Sequence, residues 1–175
     1  LISRHLLAEP GSGEQAIEKF TIVLGFAAIG FGLAAVISPT IGARMERQRW
    51  IVVCLVIGAG GQTLLAVTSA TWALLAAAVI VSFAVQGAKI AVDTIVQRDV
   101  IDTYRGRAFA LYDMMYNAAF VGAAALAAAV LPDTGWSRPG FAGLVILYLG
   151  LAAWYAWKTK RIGGKPREVG SSPLD

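Results

Sequence analysis

The sequence is poor in the residues that do chemistry. It has one histidine, His5, and one cysteine, Cys54. A single cysteine excludes an intramolecular disulfide and argues against a thiolate metal site. Neither an H-E-x-x-H nor a G-x-S-x-G pattern occurs, so neither a zinc protease nor an α/β-hydrolase is indicated. Charge is scarce as well: 15% of residues are charged, where a soluble domain carries about 25%. The chain is therefore not read as an enzyme, and no catalytic or metal-binding residue is assigned.

What is abundant is hydrophobic sequence, at 57% of the chain, and it is gathered into blocks of about twenty residues. A helix rising ~1.5 Å per residue needs that length to cross a ~30 Å hydrocarbon core. Five spans are predicted: Phe20 to Ile41, Trp50 to Thr68, Thr71 to Val92, Ala108 to Leu131 and Phe141 to Trp157. The blocks are rich in Ala, Leu and Gly and lack the in/out alternation of barrel strands. The expected fold class is all-α, a polytopic transmembrane helical bundle whose first partner is the lipid bilayer.

Basic residues give an orientation, because Lys and Arg are retained on the cytoplasmic side. With the C-terminus inside, the inner segments hold Arg44, Arg47, Arg49, Arg98, Arg105, Arg107, Lys158, Lys160, Arg161, Lys165 and Arg167, eleven of the fifteen cations. The outer segments hold Arg4, Lys19 and Arg138, and Lys89 lies within a span. Five spans then put residue 1 outside, in an inner (plasma) membrane. The chain opens on Leu1 with neither an initiator Met nor a signal peptide to carry that end across, so the expectation is a fragment preceded by further spans. The positive tail, with a pI of about 9.5 for the chain, faces anionic lipid; nucleic acid is not an expected partner.

Between the spans, Leu1 to Lys19 reads as an outer loop followed by a helix start at Gly13 or Glu14. Ser69 and Ala70 alone separate spans two and three, which makes those helices an antiparallel hairpin. "PDTGWSRPG", Pro132 to Gly140, is a turn-rich outer loop with Trp136 at headgroup level. The tail from Lys158 to Asp175 is expected to be disordered beyond Ile162. Ala28 with Gly32, and Ala118 with Gly122, form small-xxx-small pairs that would let backbones approach closely. The glycines of spans one and two serve either tight packing or sliding between conformations.

Polar residues inside spans are costly and usually face protein or water. Span three carries Gln86, Lys89 and Asp93, the last two sharing a face at i,i+4. Lys89 either snorkels to the inner interface or serves a gate or substrate pathway. Span four opens with Tyr112, Asp113, Tyr116 and Asn117. Asp113 is either a structural anion near a helix start or a cavity-lining carboxylate, a proton or cation site. Span five has no charge, and Tyr148 and Tyr155 are its only hydroxyl-bearing residues, which suits a helix facing lipid. The stretch Gln97 to Arg107 reads as the inner loop between spans three and four.

With its basic first inner loop and the stretch "VQRDVIDTYRGRAFALYD", the chain resembles the C-terminal half of a major facilitator superfamily transporter, in particular its multidrug, macrolide and siderophore efflux branch. Arg105, Gly106, Arg107 and Phe109 match that branch's R-G-R-x-F-like segment, although its preceding Pro is missing here. Gly42, Glu46 and Arg47 match the start of a degenerate G-x-x-x-D-R-x-G-R loop, with Gln48 and Arg49 standing at x-G. The resemblance implies that the spans are helices eight to twelve and that helices eight, ten and eleven line a cavity. It further implies a missing N-terminal bundle as partner, a small-molecule substrate, and efflux by alternating access with proton coupling and no other cofactor. Gly42 would give a sharp helix exit, and Glu46 with Arg47 would form state-dependent ion pairs. Arg49, Arg105, Gly106 and Arg107 would join this cytoplasmic gate, though the positive-inside effect alone accounts for the arginines. Apart from the resemblance, a non-transporting membrane assembly or scaffold subunit stays open as the alternative.

Overall fold

The computed structural model describes residues 13–132 and 136–163. His5, most of the first outer loop, three residues of the Pro132 to Gly140 loop, and the tail after Gly163 lie outside the described residues. Within them the chain is all-helical: α1 (Gly13–Arg44), α2 (Arg47–Val67), α3 (Thr71–Asp99), α4 (Asp102–Val130) and α5 (Arg138–Gly163). All five are long and apolar enough to cross a membrane, and no strand occurs among the described residues. A helix satisfies its own backbone groups, which lipid cannot do for it.

The 21 residues of α2 span about 31 Å, close to the hydrocarbon thickness. The 29 residues each of α3 and α4 span about 43 Å and run past it. This overrun revises the loop expected over Gln97 to Arg107. Only Val100 and Ile101 separate α3 from α4, with the Val100 N–H donating to the Val96 carbonyl at 3.3 Å. Charge outside the hydrocarbon does not stop a helix. Arg98 in the last turn of α3 and Asp102 in the first turn of α4 both complement the helix dipole.

A break at Gly42 is likewise not found. Helix α1 continues to Arg44, and the Met45 N–H still bonds the Ile41 carbonyl at 2.9 Å. The connection to α2 is Met45–Glu46. The linkers Met45–Glu46 and Val100–Ile101 and the end of α5 lie at one end of the bundle, called here the basic end.

Helix α3 is the centre, packed against α1 on one side and α2 on the other; α2 in turn packs against α5. The core joins Trp50, Ile51 and Cys54 of α2 to Ala91 of α3, with Ile41, Phe83, Ala88 and Tyr155 packed around them. Trp50 meets Phe83 edge-on, with ring centroids 6.3 Å apart. In lipid, helices associate through close steric fit rather than through hydrophobic burial, and the contacting faces are correspondingly small. Helix α3 buries Ala73, Ala77, Ala84, Gly87 and Ala91. A Cβ on Gly30 of α1 would strike the carbonyl oxygen of Val79. Side chains from neighbouring helices fill the space over Gly58 and Gly61.

The predicted small-residue pairs are not these. Ala28 and Ala118 are exposed, and nothing lies within 4 Å of a Cβ placed on Gly32 or Gly122. Gly30 and Ala34 form the docking face instead, two residues and so about 200° around the helix from the predicted one. Helix α5 also departs from expectation. Its outer face is exposed, but Ala152 is buried and the Tyr148 ring fills the space beside Gly58. The least packed helix is α4, which has no buried residue and, among the described helices, touches only α3, lightly.

Candidate functional site

That light contact between α3 and α4 carries most of the polar chemistry within the spans. Lys89 and Asp93 occupy successive turns of α3, and Lys89 Nζ lies 3.1 Å from Asp93 Oδ2 and 3.3 Å from Oδ1. Both side chains are about two-thirds buried. The lysine points towards the basic end, as snorkelling would send it, but it ends on a carboxylate rather than in water. Two rings of α4 flank it: the ammonium is 5.4 Å from the Tyr112 centroid and 5.6 Å from that of Tyr116. An ammonium is attracted to the negative faces of such rings within about 6 Å. The two tyrosines stand one turn apart, their centroids separated by 6.3 Å. Lys89 is thus held by one carboxylate and two aromatic rings.

Asp113 and Asn117 sit on the same stretch of α4, exposed. The Asn117 amide donates to the Asp113 backbone carbonyl at 2.8 Å, and the Asp113 carboxylate makes no hydrogen bond or ion pair among the described residues. Since α4 starts at Asp102 rather than Ala108, Asp113 lies about 17 Å from the helix start. The dipole acts only within the first turn, so it does not account for this carboxylate. Gln86 is half-buried and makes no side-chain hydrogen bond among the described residues.

Elsewhere in the spans several threonine hydroxyls bond their own helix. Thr63 donates to the Ala59 carbonyl at 2.8 Å, and Thr94 to that of Ile90 at 2.7 Å. Gln62 Oε1 and Trp50 Nε1 of α2 and Ser38 Oγ of α1 are instead buried without a hydrogen-bond partner among the described residues. At the end of the bundle opposite the basic end, Trp136 donates from Nε1 to the Leu65 carbonyl at 3.1 Å, tying the α4–α5 connection to the end of α2.

At the basic end the expected gate residues form short-range pairs. Glu46 pairs with Arg49 at 2.9 Å, both exposed. Across the first turn of a helix, residues three apart meet, whereas adjacent ones diverge. Arg105 pairs with Asp102 and reaches the Val100 carbonyl at 3.5 Å. Arg107 and Gly106 are exposed, with nothing within 4 Å of a Cβ on Gly106. Gly42 is half-buried inside α1.

Lys89 and Asp93 lie in one span of the sequence, and Tyr112, Asp113, Tyr116 and Asn117 in another. The structure joins Lys89, Asp93, Tyr112 and Tyr116 in one cluster and sets Asp113 and Asn117 on the same helix as its tyrosines. It also reveals a cleft of about 990 Å³ at the basic end, lined by the start of α2 and the ends of α3 and α5. No sequence pattern pointed to it, because Arg47, Arg98 and Lys160 are far apart in the chain. The sequence profile of the Major Facilitator Superfamily matches residues 12–174. No curated protein and no solved structure matches the chain.

Proposed function

The chain belongs to the Major Facilitator Superfamily, a family of transporters, and on that premise we propose that it exports small molecules by alternating access. The observation that carries this reading is the polar face of α4. Asp113, Tyr116 and Asn117 are exposed on a helix apolar enough to cross a membrane and with no buried residue. A bare carboxylate at the bilayer centre costs roughly 2.5 to 3.5 kcal/mol, so this face meets water or further protein. A second helical bundle enclosing a solute cavity supplies both.

In this reading the five helices stand as helices eight to twelve of a twelve-helix transporter, the basic end is cytoplasmic and the protein resides in the plasma membrane. The Lys89, Asp93, Tyr112 and Tyr116 cluster and the Asp113 carboxylate line the pathway beside Gln86 and Asn117. Two aromatic rings next to acids suit amphipathic solutes, in keeping with the drug-like, macrolide or siderophore substrates of the branch the sequence resembles. Asp113, free of ion-pair partners, is the group offered for proton coupling. The Glu46–Arg49 and Asp102–Arg105 pairs act as gate contacts whose partners change between states, which biases the conformational equilibrium.

The test is transport by the intact protein in liposomes under an imposed proton gradient, against a panel of dyes, drugs and siderophores. Movement of at least one solute is expected, with Asp113→Asn slowing it about tenfold or more at equal membrane abundance. Undiminished transport by that variant would remove Asp113 from the pathway, and inactivity across the panel would overturn the export reading.

A further inference from the structure

The cleft at the basic end gathers four cations from three helices: Arg47 and Arg49 at the start of α2, Arg98 near the end of α3, and Lys160 near the end of α5. Glu46 and Asp99 also line it, which leaves a net charge of +2 from four cations and two carboxylates. Arg49 is engaged by Glu46. Arg47, Arg98 and Lys160 have no ion-pair partner among the described residues.

The electrostatics at the start of α2 run against its own helix dipole. A helix N-terminus favours acidic residues in its first turn. Helix α2 has none there; it opens with Arg47 and Arg49, and Glu46 makes no side-chain capping bond. Two guanidinium groups therefore line one side of the cleft, with Glu46 paired to Arg49 and Arg47 left unpaired. Arg98 and Lys160 stand at helix C-termini, where cations are favourable, and they face the same space.

Depth is the second constraint. The floor of the cleft is aliphatic, made by Val52, Val53, Ile95 and Ala156. Each lies about one turn or more inside the cations of its own helix, so on the bilayer side of them. A ligand that fills this site is anionic at its outer end and apolar at its inner end.

We propose that this cleft binds the phosphate headgroup of an anionic phospholipid in the leaflet at the basic end, with the glycerol and first acyl carbons against Val52, Val53, Ile95 and Ala156. Basic pockets between transmembrane helices suit such headgroups. Arg47 offers a fork of donors that two phosphate oxygens can accept, and Arg98 and Lys160 add charge from the other two helices. The binding depends on the protein being embedded in a membrane and not on the direction or substrate of transport.

The test is retention of phosphatidylglycerol by the intact protein, followed by native mass spectrometry and by thermal stability in phosphatidylcholine vesicles with and without phosphatidylglycerol. Wild type is expected to retain the lipid and to be stabilised by it. The Arg47→Gln, Arg98→Gln, Lys160→Gln variant is expected to bind about tenfold more weakly or worse. A control with the same loss of charge at the same end, Arg44→Gln, Lys158→Gln, Arg161→Gln, is expected to change binding less than about twofold. Equal loss in both variants would reduce the effect to general surface charge and overturn the site. So would absence of retained lipid in wild type. Stabilisation by inorganic phosphate in neutral detergent to the same extent as by phosphatidylglycerol would identify a soluble phosphate ligand and overturn the lipid assignment. If the triple variant does not accumulate, Lys160→Gln alone, at the exposed end of α5, is expected to weaken binding about threefold; unchanged binding in that variant would overturn the site.

Discussion

Lys89 and Asp93 hold each other at 3.1 Å on successive turns of α3, their side chains 27% and 31% exposed. The two charges are thus paired while each keeps part of its side chain accessible. In a membrane span such a pairing offsets part of the cost that an isolated charge would carry.

Breaking the pair from one side leaves an uncompensated charge. Lys89→Met or Asp93→Asn is expected to lower stability by about 2 kcal/mol, somewhat less than for a fully buried pair. The double variant is expected to recover most of that loss while transport stays impaired. Thermal unfolding of the four proteins in detergent measures the coupling. A double variant no more stable than the worse single one would show that the two residues do not depend on each other.

The docking of α1 on α3 gives a second expectation. A Cβ on Gly30 meets the backbone of Val79, which cannot swing aside as a side chain can. Gly30→Ala is therefore expected to cost about 1–3 kcal/mol by overpacking. Gly32→Ala, with open space around it, is expected to be neutral or slightly stabilising. The two melting temperatures decide the matter, and equal shifts would mean that α1 docks by another face.

Cys54 supplies a third. Its side chain is 1% exposed, and Cys54 Sγ lies 2.9 Å from where a Cβ on Gly87 would be. A membrane-permeant fluorogenic maleimide is expected to label it only as the bundle unfolds, so that labelling and loss of helix share one midpoint on heating. Rapid labelling of the native protein would contradict the packing of α2 on α3.

The helical class and membrane character were legible because both follow from local quantities. Block length against bilayer thickness, and backbone polarity against lipid, require no knowledge of neighbours. The shared face of Lys89 and Asp93 was legible for the same reason, since i,i+4 geometry is a property of a single helix. Helix ends were less so. Hydropathy marks where lipid stops, not where hydrogen bonding stops, and α3 and α4 carry their helices well into the charged stretch from Gln97 to Arg107.

Sequence alone thus determined that these segments are membrane helices and which residues would be expensive to place in them. Only the tertiary structure decided what those residues meet. It chose Gly30 over Gly32 as the docking glycine and paired Glu46 with Arg49. It set the tyrosines of α4 beside Lys89 and brought Arg47, Arg98 and Lys160 around one cleft. The physical reason is that lipid solvates every apolar face of a helix almost equally. Which face is buried is then settled by steric fit and by a few electrostatic contacts between helices, and neither is written in the periodicity of a single one.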